Sequence, residues 1–117
     1  MAFSYEISRK DDLSVLVMSG KLVDKVEAIE VSVEIDEELE EGNNRFIIDL
    51  SKLEYMNSTG LNIIINLMNK ARNDGGEAVV VGAQPRIKSL FVVTKLDTVF
   101  TMKNSMEEAT SHLTELN

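Results

Sequence analysis

A chain of 117 residues that is 44% hydrophobic and 27% charged is long enough for one core and has the make-up of a globular domain. With no cysteine and one histidine, His112, it excludes disulfides, thiolate metal sites, cysteine nucleophiles and multi-histidine metal centres. Its formal net charge of -8 opposes binding to nucleic acid or to an anionic membrane, which need a positive face, and suits a soluble protein whose partners present basic surfaces.

The first residues, Phe3, Tyr5 and Ile7, alternate with polar ones and predict a half-buried strand. A polar turn at Lys10–Asp12 leads to a second alternation, Leu13, Val15 and Val17, with Leu16 and Met18 on the other face, so the pair predicts a hairpin. Gly20 is expected to end the second strand, and Lys21–Asp24 to form a loop whose Asp24 caps the next helix. From Lys25 to Gly42 two patterns compete. Ala28, Val31, Ile35 and Leu39 fit a helix face, while Ile29, Val31, Val33 and Ile35 alternate like a strand. Length and the glutamate-rich run from Glu34 to Glu41 decide for helix, with Gly42 as its stop and the acidic run as a solvated face.

The most informative stretch follows. Phe46, Ile47, Ile48 and Leu50 predict a short strand covered on both faces. Ser51–Asn57 reads as a loop somewhat longer than the usual strand-to-helix connection of about two to six residues. Leu61, Ile64, Ile65, Met68 and Ala71 then recur at helix spacing, with Gly75 and Gly76 as the stop. Glu77–Val81 predicts a second buried strand, Gly82–Gln84 a tight loop, and Pro85 the first turn of a helix with Ile87, Leu90 and Phe91 on its apolar face. Thr98–Met102 predicts a last strand, Ser105 and Glu108 a capping box, and Met106, Ala109, Leu113 and Leu116 the face of a C-terminal helix. The order is β-β-α-β-α-β-α-β-α, an α/β domain with a mixed sheet, one antiparallel edge strand and right-handed parallel crossovers, expected to occupy residues 1–117 as one unit. No apolar run approaches the roughly eighteen residues of a membrane span, and the first residues lack a signal-peptide core, so the expected location is cytoplasmic.

If the later strands are parallel, the loops after them meet at one edge of the sheet, where ligands and partners of such sheets dock. That edge is expected to collect Asn57, Ser58, Thr59 and Gly60, the loop Gly82, Ala83 and Gln84, and, if the second strand runs the same way, Gly20–Asp24 with its capping Asp24. Asn57, Ser58 and Thr59 are all residue types that cap a helix. Two readings of Ser58 therefore stand together. As a plain cap it contributes about 1 kcal/mol. As a phosphorylation site it would carry about −1.5 to −2 charges at the positive end of a helix, which the fold tolerates and a partner covering that end does not. Gly60 permits either the helix start or close approach of another backbone beside Ser58, and Asp49 is expected to give structural support by orienting the loop through backbone N–H groups. His112 reads as solvated, away from this edge. No nucleophile–histidine pair, dinucleotide or phosphate-loop fingerprint is apparent, so no catalytic residue, metal ligand or cofactor is expected.

The segment DLSKLEYMNSTGL, Asp49 to Leu61, resembles the signature of STAS domains, and most closely that of the bacterial anti-sigma-factor antagonists. That signature runs Asp-Leu-Ser, spaced apolar residues, an acidic residue, Ser, Ser or Thr, Gly, Leu. The resemblance covers nearly the whole chain, including Gly20-x-Leu22, Glu41-Gly42, Gly75-Gly76 and Leu90-Phe91. It implies a mixed sheet with helices and a protein-binding activity without catalysis. It also implies a partner: an anti-sigma factor that is a serine kinase, bound by the unphosphorylated antagonist so that the sigma factor is freed. The kinase then uses ATP to phosphorylate the serine matched by Ser58, the complex separates, and a serine phosphatase resets the cycle. Asn57 stands where the family usually has aspartate; asparagine caps as well, but removes a negative charge beside the acceptor hydroxyl. Relatives in the wider group act as scaffolds or transporter regulatory domains without the switch, so an unswitched interaction module is an alternative, and a nucleotide- or anion-binding module at the helix start near Ser58 is another.

Overall fold

The computed structural model describes residues 2–115. Strands β1 (Ser4–Lys10), β2 (Leu13–Leu22), β3 (Arg45–Met56), β4 (Glu77–Val81) and β5 (Thr101–Lys103) form one sheet in the order β1-β2-β3-β4-β5. β1 is antiparallel to β2 and every other pair is parallel. Helices α1 (Lys25–Glu40), α2 (Ser58–Asn73), α3 (Pro85–Val93) and α4 (Met106–Thr114) complete the β-β-α-β-α-β-α-β-α order expected from the sequence.

The two faces of β3 explain its continuous apolar run. Phe46, Ile48 and Leu50 join Leu16 and Met18 of β2 in a core closed by Ala28, Val31 and Ile35 of α1, Ile64 and Met68 of α2, and Ile87 and Phe91 of α3. Ile47, pointing the other way, joins Val15, Val79 and Val81 under Ala109 and Leu113 of α4. Three helices thus cover one face and α4 the other. The helix reading of 25–42 holds: the Asp24 carboxylate accepts from the N–H groups of Val26 (2.7 Å) and Glu27 (3.2 Å), which starts α1 and leaves Ile29 and Val33 exposed. The acidic run on α1 is mostly solvent-facing, but Glu38 accepts from the buried Ser14 hydroxyl at 2.6 Å. Ser105 accepts from the Glu108 N–H, and the Glu108 carboxylate accepts weakly from the Ser105 hydroxyl, one half of the expected capping box. Leu116 lies outside the described residues.

Three expected boundaries are corrected. β2 does not end at Gly20 but continues to the fully buried Leu22. The ladder to β3 shifts register between Val17 and Ser19 and again between Gly20 and Lys21, and Gly20 takes φ 83° there, so the glycine marks an irregularity inside the strand. Ser51–Asn57 is not a loop, because β3 runs on to Met56, buries Leu53 and Met56, and pairs with the extended end of β2. The last strand is Thr101–Lys103 and not Thr98–Met102. Leu96–Thr98 makes a 3-10 turn instead, and the buried Phe100 packs edge-on against Phe91 at 5.3 Å, so packing overrides the local β pattern.

One surface contact is titratable. The Tyr5 hydroxyl on β1 donates to the Glu34 carboxylate on α1 at 2.8 Å. Burial first, then the bond to Glu34 and the charges of Glu34, Glu30 and Glu37, push the phenol up to about 12. The folded protein holds this proton to higher pH than the unfolded chain, so the stabilisation is complete below pH 10 and is lost as pH rises towards about 12. In a Tyr55→Phe variant, where Tyr5 is the one remaining tyrosine, the ultraviolet phenolate titration should have its midpoint near 12, and adding Glu34→Gln should lower it. A midpoint at the ordinary value of about 10 would contradict the contact.

Candidate functional site

The last β3–β4 pair is Asp49 with Val81, so β3 projects well past the end of β4 and is flanked there on one side only, by β2. Asp49 marks the departure: its carboxylate accepts from the Ser51 N–H at 2.9 Å, within the strand and not in a loop. At the far end a single residue, Asn57, separates β3 from α2. Its backbone is extended (φ -104°, ψ -166°), and its side-chain oxygen accepts from the N–H groups of Thr59 at 3.0 Å and Gly60 at 3.4 Å. Its Nδ2 donates to Val23 O at 3.5 Å and its backbone N–H to Leu22 O at 3.4 Å. One side chain therefore caps α2 and ties it to the β2–α1 connection.

This corrects the reading of Ser58 as the cap. Ser58 is the first helical residue, is exposed, and its hydroxyl makes no hydrogen bond among the described residues. The residue types of Asn57, Ser58 and Thr59 are equivalent as caps; the place where the chain turns from extended to helical selects Asn57. No acidic residue stands in the first turn of α2, while Lys70 and Arg72 stand in the last, so the positive end of the helix dipole is left without a carboxylate and the negative end is matched.

Gly60 is buried against the chain's own strand ends. A Cβ there would lie 2.8 Å from Met56 Cβ and 2.9 Å from Leu22 O, so the close approach its sequence position suggested is to Leu22 of the same chain, not to a partner. Asp24, Asn57, Ser58, Thr59 and Gly60 thus share one edge. Gly82, Ala83 and Gln84 do not join it. Because β4 stops level with Asp49, Gly82 lies beside Ser51, with a Cβ there 3.0 Å from Ser51 Cβ, and Gln84 Nε2 donates to Ser51 O at 2.8 Å. Gly82 and Ala83 instead line a separate depression with Lys88, Asp97 and Lys103.

What reaches Ser58 from that side is the body of α3. Tyr55, Leu61, Arg86, Leu90 and Val93 line, with Asn57 and Ser58, a mostly apolar groove between the end of β3, the start of α2 and α3. Sequence reasoning did not place Arg86, Leu90 and Val93 here. Their spacing of four and three on one helix was the available signal, and it needed the strand order to become a site. His112 sits on α4, on the opposite face of the sheet, near Glu108 and Glu115. Among the described residues no group of three or more histidine or acidic side chains is placed to hold a metal ion, and no helix is long and apolar enough to cross a membrane. The arrangement presents an unbonded primary alcohol at a helix start beside an apolar groove: a surface for docking, with the Ser58 oxygen on its rim and the hydroxyl residues Tyr55, Ser89 and Thr94 also in its lining.

The model of the STAS domain family matches residues 4–109. BtrV of Bordetella bronchiseptica, provisionally named an anti-sigma factor antagonist, is 25% identical over 99 residues, which is 85% of this chain and 84% of that protein. The crystal structure of an anti-sigma factor antagonist from Mycobacterium paratuberculosis superposes with a TM-score of 0.85 at 24% identity, covering 97% of this chain and 96% of that one. The Bacillus cell fate determinant SpoIIAA in its phosphorylated form superposes with a TM-score of 0.75 at 16% identity, covering 93% and 98%.

Proposed function

The chain belongs to the STAS domain family, and from that premise we propose that it is a cytoplasmic anti-sigma factor antagonist, a binding protein and not an enzyme, switched off by phosphorylation of Ser58. Its partner is an anti-sigma factor with serine kinase activity, which docks over the edge formed by Asp24 and Asn57–Gly60 and over the groove between α2 and α3. The observation that carries the reading is the unbonded, exposed Ser58 hydroxyl at the first position of α2. The names carried by BtrV and by the mycobacterial structure support the antagonist class, and SpoIIAA is a protein of this fold that occurs phosphorylated.

The chemistry follows from the site. Because Asn57 takes the capping bonds, the Ser58 oxygen is free to attack the γ-phosphorus of ATP held by the kinase; the hydroxyl proton passes to a base of the kinase, the bond to the β-phosphate oxygen breaks and ADP departs. The phosphoryl group then sits at the positive end of α2, where it is stabilised and the fold is undisturbed. The partner, having covered the same helix start, must now desolvate a doubly charged group beside an apolar groove, and the complex separates. A serine phosphatase hydrolyses the ester and restores the binding form. The test combines the protein, ATP and the serine kinase encoded nearest to it, read by intact mass and peptide mapping. One phosphate on Ser58, absent in Ser58→Ala, is expected. No phosphate with a demonstrably active kinase, across the candidate kinases of the organism, would favour a second reading, an interaction module without the switch. Asn57, which lacks the charge of the aspartate found there in the antagonists it resembles, is the observation on that side.

A further inference from the structure

Charge is unevenly divided over the helices. Between Lys25 and Glu41 there are eight acidic side chains and one basic one; between Pro85 and Lys95 there are three basic ones, Arg86, Lys88 and Lys95, and no acidic one. None of those three basic groups makes an ion pair or a hydrogen bond among the described residues. Both helices also carry apolar surface that the core does not use. Val26, Ile29 and Val33 run along the outside of α1 at spacings of three and four and are 64%, 60% and 51% exposed. On α3, Val92 and Val93 are 53% and 78% exposed. Each set borders a shallow depression. Ile29 and Val33 share theirs with Tyr5, Glu30, Glu34 and Glu37, and Val92 and Val93 share theirs with Pro85, Lys88 and Ser89.

The topology puts these surfaces at opposite ends of one layer. α1 connects β2 to β3, α2 connects β3 to β4 and α3 connects β4 to β5, all on the same face of a sheet whose strands lie in sequence order. An acid-rimmed apolar stripe therefore flanks α2 on one side and a basic apolar patch flanks it on the other. Isolated exposed valines need no explanation, but a line of three on a helix whose other face already fills the core does. The two surfaces are complementary in charge and both are apolar at the centre, the pattern of a docking pair.

We propose that this chain self-associates head to tail, the outer face of α1 in one copy docking on the outer face of α3 in the next. Such a contact is heterologous: every copy offers one face of each kind, so association extends beyond a dimer or closes into a ring. The net charge of -8 opposes it at long range. At about 0.15 M salt, where the Debye length is roughly 8 Å, that repulsion is screened while charge pairs in contact are screened less. The contact does not include Ser58, but Val93 lines both this patch and the groove beside Ser58, so self-association and partner docking compete for that part of α3.

The test is sedimentation velocity of the full chain at about 0.15 M salt, from micromolar to millimolar concentration. The wild-type average mass should rise with concentration. Val33→Lys, which disables the α1 face, and Val92→Glu, which disables the α3 face, should each lower the association constant by at least roughly tenfold. Mixed in equal amounts, the two variants should form dimers and nothing larger, because each retains the face the other has lost. Both positions are more than half exposed, so wild-type melting temperatures are expected; should either variant fold poorly, Ile29→Ser and Lys88→Glu serve as the second pair. A wild-type protein that stays monomeric to millimolar concentration overturns the proposal, as does either variant associating as wild type does. A mixture that fails to recover dimers also overturns it, since that result means a self-complementary contact.

Discussion

Gly76→Ala is expected to destabilise the protein by about 3 kcal/mol or more, with a loss of roughly 10–15 °C in melting temperature. A Cβ at Gly76 would overlap the carbonyl oxygen of Asn44 and sit 2.6 Å from its carbonyl carbon. The obstacle is backbone, so no side chain can swing aside. Both segments are also held in place by hydrogen bonds: Asn44 O accepts from the Glu77 N–H at 3.0 Å, Asn44 Nδ2 donates to Asp74 O at 2.7 Å, and the Gly76 N–H donates to Ala71 O at 2.8 Å. Moving Asn44 disturbs the point where β3 and β4 begin to pair, Arg45 with Glu77. Gly75→Ala is the control. Gly75 has φ 83° with nothing within 4 Å of a Cβ, so alanine there meets conformational strain alone, about 1 kcal/mol. Urea unfolding of both variants with unchanged slope separates clash from strain. Equal losses for the two would refute the close approach of Gly76 to Asn44.

From sequence alone these two glycines were one helix stop, and the difference between them shows where local reading ends. Spacing within one element was legible: the alternation of β1 and β2, the apolar run Phe46–Leu50, the faces of α1 and α2, and Asp24 as a cap all stand in the structure. What failed depended on a neighbour. Ser51–Met56 lacks alternation because the ladder to β2 shifts register opposite it; Leu50, Leu53 and Met56 are buried at intervals of three, and only pairing with the end of β2 makes them a strand. The same extension of β3 beyond β4 displaces Gly82–Gln84 from the edge they were expected to share with Ser58 and brings α3 there in their place. The candidate site was therefore half readable. Asp24 and Asn57–Gly60 follow from caps and connections along the chain, whereas Arg86, Leu90 and Val93 follow from strand lengths that the sequence pattern does not carry.

Ser58→Asp is expected to fold as well as wild type and to bind the proposed anti-sigma factor partner at least about 100-fold more weakly, whereas Ser58→Asn should bind within about threefold of wild type. Stability should not separate them. The Ser58 hydroxyl makes no hydrogen bond among the described residues, and a carboxylate at the first position of α2 meets a first turn with no acidic residue of its own, which is worth about 0.3–1 kcal/mol in its favour. Binding should separate them, because aspartate and asparagine have nearly the same shape and differ in one charge. Covered by a partner, that charge lies beside an apolar groove, where an uncompensated ion costs about 3–5 kcal/mol. Asn57→Ala is the reciprocal variant: it should lose about 1 kcal/mol of stability with the α2 cap while leaving the Ser58 hydroxyl in place. Titration calorimetry against the anti-sigma factor, paired with thermal melts, reads both quantities. Undiminished binding by Ser58→Asp would refute the charge switch, and equal loss in the aspartate and asparagine variants would mean that the partner reads the shape of residue 58 and not its charge.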